Sequence, residues 1–204
     1  MILDRMRNDA SAWSLAASNL VTLGFALKEH WSLTTVMFIY WGQNIIIGIL
    51  NFFRILSLEL PPSKPEVPAK FAFGAKLFIA CFFAVHYGFF HFGYYSFLRP
   101  HFSGQDSIFI MSSLFIFLCH HVFSFFYNFQ DDRQSWDLGR LMFYPYQRII
   151  PMHLTIIFGT VPMMIFRGQL AEQLVLAFFL LLKTWVDLKM HLMEHSYGLS
   201  KKAV

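Results

Sequence analysis

The stretch KTWVDLKMHLMEHSYG, residues 183–198, sets two carboxylates and two imidazoles within about two helical turns: Asp187, His191, Glu194 and His195. At about 100° per residue, Asp187, His191 and His195 are spaced i, i+4, i+8 and stay within one narrow arc. Thr184 shares that arc, and Glu194 lies beside it. Zinc and iron accept imidazole nitrogen and carboxylate oxygen, so one helix face offers half a coordination shell for a divalent metal. Glu194 beside such a metal is a candidate general base for a metal-bound water. Lys183 stands one turn before Asp187 and can pair with it at i, i+4. A plainer reading is the wet end of a helix, where histidine and lysine suit the negative pole of the dipole. The string HLMEH also fits the short H-x-x-E-H pattern of a zinc-peptidase group, whose large soluble fold is absent here.

Other histidines lie inside apolar runs: His86 and His91, the adjacent His120 and His121, and His153. Ionisable groups at membrane depth are costly unless paired, which makes each one a functional lead. Counting about 1.5 Å per residue from the inner surface, His153 lies roughly 8 Å deep, His120 and His121 roughly 10 Å, and His86 roughly 15 Å. His91 alone falls toward the outer half. His121 shares a face with Ser124 and Asn128, which favours it over His120. The candidate ligands are therefore His86, His121, His153, Asp187, His191 and His195. Each single histidine has a structural alternative as an interhelical hydrogen-bond partner. Trp41, Asn44, Gly48 and Asn51 share one face at i, i+3, i+7, i+10. With Lys183 and Thr184, Asn44 is expected to orient the ligands or to serve as interhelical glue. Ala80, Ala84 and Gly88 form a small-residue stripe suited to close helix packing.

The elements that must position these groups are membrane helices. The chain of 204 residues is 56% hydrophobic, with 26 phenylalanines. Only 14% is charged, against roughly 25% in soluble domains. Several apolar runs approach the ~20 residues that span a bilayer. The expected fold is all-α, a single domain over 1–204 with six spans at about 11–27, 32–56, 71–98, 107–127, 149–166 and 170–195. Pro162 is the expected kink in the fifth. A proline-rich linker occupies 61–69, and a polar loop occupies 129–147 with a short amphipathic helix around 136–143. The first helix lacks a signal peptide's cleavage pattern and is expected to be retained. Cys81 and Cys119 fall in spans, which argues against a disulfide framework.

Lys and Arg counts in the loops give the orientation. Arg5, Arg7, Arg54, Lys64, Lys70, Arg133, Arg140, Arg148, Lys201 and Lys202 fall on one side, against Lys28, Arg99 and Arg167 on the other. Both termini are therefore expected in the cytoplasm, with the linker and the long loop. The net charge of +4 is explained by this topology. Basic residues are scattered along loops, so nucleic-acid binding has no support.

The strings YWGQNIIIGILNFFRIL, HYGFFHFGYYSF, RIIPMHLTIIFG and KTWVDLKMHLMEH, in that order, resemble an uncharacterised family of bacterial multi-pass membrane proteins, a domain of unknown function. The match covers about 19–195. The family's characteristic positions stand here as Tyr40, Trp41, Asn44, Gly48, His86, Tyr87, Gly88, Arg148, His153, Gly159, Lys183, Thr184, Asp187 and His191. Gln43 departs from the acidic residue associated with the family at that place. The resemblance implies a helical bundle in the bacterial inner membrane and supplies no activity. A more distant likeness, to seven-helix metal hydrolases such as the alkaline ceramidases and adiponectin-receptor-like proteins, rests only on His191 and His195. The Ser-x3-His element of those proteins has no counterpart here.

The leading expectation is a cytoplasm-facing metal site, zinc or iron, hydrolysing a lipid or peptide substrate. A transporter or channel passing protons or metal ions is the first alternative, and His91 and His101 keep it open. A haem protein with axial histidines and a structural membrane subunit complete the set.

Overall fold

The computed structural model describes residues 10–58, 69–102, 104–127, 138–166 and 168–202. Every regular element among them is helical. The helices are α1 (Ala10–Lys28), α2 (Leu33–Ser57), α3 (Ala69–Leu98), α4 (Ser107–Tyr127), α5 (Leu138–Phe158), α6 (Thr160–Ile165) and α7 (Gln169–Lys202), with a 3-10 turn at Arg99–His101. Four segments are long and apolar enough to cross a membrane: Leu33–Ser57, Phe73–His101, Ser107–Tyr127 and Gln169–Met190. They coincide with the second, third, fourth and sixth expected spans. Residues 59–68 and 128–137 lie outside the described part, and with them most of the linker at 61–69 and the first part of the loop at 129–147.

The chain forms two compact units, one of Thr34–Gln147 and one of Met1–Leu33 with Arg148–Val204. In the first, α2 is the core helix. Of its membrane-length apolar stretch 44% is buried, against 17% for α3 and 11% for α4. The buried residues Met37, Tyr40, Asn44, Gly48, Asn51 and Ile55 recur every three or four positions and so form one seam. On α3 the matching seam is Ala80, Phe83, Tyr87, His91, Tyr94 and Leu98. Trp41 Nε1 donates to the His91 carbonyl at 3.0 Å, and the Tyr87 hydroxyl donates to the Asn44 carbonyl at 3.1 Å. One helix ascends as the other descends, so the pair is antiparallel. The other faces of α3 and α4 expose Phe78, Val85, Phe89, Ile108, Phe115 and Phe123. Soluble monomers rarely show so large an apolar face. Polar groups inward and hydrocarbon outward is the arrangement a lipid solvent favours.

Close packing does not follow the expected small-residue stripe. Ala80 is buried, but Ala84 and Gly88 are exposed. Gly48 and Gly42 make the close approaches instead. A Cβ at Gly48 would lie 2.5 Å from Tyr87 Cε1, and one at Gly42 would lie 2.6 Å from Leu114 Cδ1.

Residues 138–147, expected in the loop, are the first turns of α5. The helix runs straight through Pro145. A proline has no N–H, so the Leu141 carbonyl loses its i+4 donor. Asn51 replaces it: Nδ2 donates to the Leu141 oxygen at 2.8 Å. Asn51 and Pro145 are both fully buried.

In the other unit α1 and α6 pack against α7. The expected fifth span is divided, and the break falls at Gly159 rather than at Pro162. Pro162 lacks the N–H that would reach the Phe158 carbonyl, and its ring crowds that oxygen, so the ladder fails one turn earlier. A Cβ at Gly159 would crowd the Thr155 carbonyl oxygen and lie 2.9 Å from Val175 Cγ1. The tight turn after α1 closes with the Trp31 N–H donating to the Ala26 carbonyl at 2.9 Å and His30 in the left-handed region.

Candidate functional site

α7 carries Lys183 and Asp187 one turn apart, and the helix spacing alone makes them neighbours. Lys183 Nζ donates to Asp187 Oδ2 at 2.6 Å. It also donates to Asn19 Oδ1 on α1 at 3.3 Å. Arg148, on the part of α5 that belongs to the same unit, brings Nη1 to 3.8 Å from Asp187 Oδ1. The side chains are 24% exposed for Lys183, 11% for Asp187 and 16% for Arg148, so water screens this cluster poorly. With Asp187 ionised, the three formal charges sum to +1.

Two polar atoms in the cluster lack a hydrogen-bond partner among the described residues: Asn19 Nδ2 and Asp187 Oδ1. The second has only the longer Arg148 ion pair. Thr184 donates Oγ1 to the Leu180 carbonyl of its own helix at 2.7 Å.

The histidines expected as ligands have the following surroundings. His86 Nδ1 and the Tyr146 hydroxyl share a hydrogen bond of 2.7 Å, and the ring stacks on Phe82. His121 Nδ1 donates to the Phe117 carbonyl one turn back at 3.0 Å. His153 is exposed on α5. Asn44 is buried on the α2 seam. His191, Glu194 and His195 continue α7 without a break in the helix, and their side chains lie outside the described part. Among the described residues, no three His, Cys, Asp or Glu side chains gather as a metal ion would require.

The Lys183–Asp187 pair was readable from its spacing. Arg148 and Asn19 were not singled out as its partners. They lie 39 and 168 positions from Asp187, and no periodicity links residues on different helices. Arg148 stands in the sequence as a loop cation marking orientation and as a position of the family resemblance, with nothing to tie it to Asp187.

A family model described as a family of unknown function, DUF6498, matches residues 1–204. The chain belongs to the DUF6498 family. No curated protein and no solved structure gives a match. Membership in DUF6498 therefore bears out the expected resemblance to a domain of unknown function and carries no activity with it.

Proposed function

We propose that this is a multi-pass protein of the bacterial cytoplasmic membrane, with both termini cytoplasmic, that moves a proton together with an anion through the Asp187 cluster. The observation that carries this reading is one carboxylate, 11% exposed, facing two cations at 2.6 and 3.8 Å. Intramembrane groups of this kind mark ion pathways and proton relays. Protonating Asp187 raises the summed charge of the three groups from +1 to +2 and removes the negative charge that faces Lys183 and Arg148. Uncompensated charge in so dry a place is unfavourable. An anion entering beside Lys183, Arg148 and the unused Asn19 Nδ2 restores the balance. Proton and anion thus favour each other's binding, and linkage makes the effect reciprocal.

The test is proton movement in proteoliposomes holding a trapped pH dye, after addition of phosphate, succinate or gluconate. At least one anion is expected to drive acidification that Asp187→Asn abolishes. Acidification that persists in Asp187→Asn, or none with any anion in well-folded protein, overturns the reading.

A second reading rests on α7 continuing as one helix from Gln169 to Lys202. Asp187, His191 and His195 therefore keep their i, i+4, i+8 register, with Glu194 beside them. These residues, with His153 of the same unit as a further donor, suit zinc or iron and hydrolysis of a lipid or peptide substrate. Metal content of the purified protein, compared with a His191→Ala, His195→Ala variant, decides it. A stoichiometric metal lost in the variant supports the site, and equal metal-free spectra reject it.

A further inference from the structure

A groove of about 430 Å³ runs between α2 and α3 within the Thr34–Gln147 unit. Its lining includes Ile45, Gly48 and Phe53 on α2 and Phe83, Gly88 and His91 on α3. That volume falls in the ~300–1,000 Å³ range of small-molecule sites. From residue 45 to residue 53 of α2 it extends about 12 Å. All but one end of it is apolar or aromatic. At that end stands His91, 5% exposed, with neither ring nitrogen hydrogen-bonded among the described residues. Its ring is flanked edge-on by Tyr87 at 4.5 Å, Tyr94 at 5.9 Å and Trp41 at 6.5 Å between centroids. A buried imidazole left without partners is unfavourable, which calls for a ligand that supplies one.

Depth narrows the ligand. His91 lies ten residues from the end of the Phe73–His101 span, and its neighbour Trp41 lies eight residues into Leu33–Ser57. Both therefore lie about 12–15 Å along their helices from the nearer span end, within the hydrocarbon core rather than at its surface. A charged phospholipid headgroup does not reach that depth. A neutral head on a hydrocarbon tail does. The geometry points to a binding site for a lipid-soluble quinone, its carbonyl accepting from the His91 ring N–H and its tail lying along the groove toward Phe53 and Phe83. These residues are separate from the Asp187 cluster, so this site and the proposed transport stand or fall independently.

Gly88 gives a test that leaves the fold intact, because a Cβ there meets nothing within 4 Å. The full chain in phosphatidylcholine nanodiscs is titrated with a benzoquinone bearing a ten-carbon tail, reading tryptophan quenching. Controls are displacement of the bound quinone by the same tail on benzene and by phosphatidylglycerol, neither of which quenches tryptophan itself. Helical circular dichroism and the melting curve certify each variant. Saturable quenching is expected, weakened about tenfold by His91→Phe and lost in Gly88→Leu. Absence of saturable quenching, or quenching equal in both variants and the wild type, overturns the site. Binding blocked by Gly88→Leu but indifferent to His91→Phe, or displaced equally well by either control, shows a groove for hydrocarbon tails and overturns the quinone assignment.

Discussion

Asn51 shows how one side chain can decide whether a helix tolerates proline. Its amide fills the place of the N–H that Pro145 lacks, 2.8 Å from the Leu141 carbonyl. Asn51→Leu leaves that carbonyl buried and unpaired, and is expected to lower stability by about 1–3 kcal/mol. In a Pro145→Ala background the backbone N–H returns and most of that loss should disappear. A double-mutant cycle, read from SDS-induced unfolding in mixed micelles, checks the coupling. Additive losses would show that the amide is not the donor that matters. The polar face of α2 was legible as a seam from spacing alone. The job of Asn51 was not, because its partner lies 90 positions away and a proline ordinarily reads as the end of a helix. For the same reason the sequence-based boundary of α5 fell about ten residues late.

At the scale of the element, glycines set where helices come together. Gly48 takes the Tyr87 ring and Gly159 takes Val175, and at each a methyl group meets an atom at under 3 Å. Gly48→Ala and Gly159→Ala are each expected to cost about 1–3 kcal/mol through overpacking. Gly88→Ala, with open space at its Cβ, should stay within about 0.5 kcal/mol. Thermal unfolding of the three variants in one detergent separates these cases. Small residues at helical spacing were visible in the sequence, but spacing does not tell a packing face from a groove. Ala84 and Gly88 turned out to face outward, and Gly48, read as part of an amide face, makes the contact. The break between α5 and α6 was legible in kind and displaced by three residues, because a proline disturbs the carbonyl one turn before itself.

For the whole molecule, hydropathy carried the class. Four long apolar helices follow from composition and run length, since a bilayer sets both. The proposed count of six and the inward termini rest on loop charge. Reporter fusions after Val204 and within 128–137 are expected on the same side of the membrane, and one at Gly168 on the other. A shared side for all three positions would sink the six-span topology. The candidate site was half legible, because one helix supplies Lys183 and Asp187 and two others supply Asn19 and Arg148.

That the 2.6 Å pair lies within one helix bears on how the protein is made. A lone charge costs about 2.5–3.5 kcal/mol at the centre of an inserting helix and less toward its end, and Lys183 lies seven residues and Asp187 three from the end of the Gln169–Met190 span. Lys183 and Asp187 meet as soon as α7 coils, before any neighbour has docked, so this segment can be offered to the insertion machinery already neutralised. A glycosylation-mapped insertion assay should therefore find Lys183→Met poorly inserted and the exchanged pair, Lys183→Asp with Asp187→Lys, close to wild type. The ion pair would then serve the newborn chain before it serves the folded one.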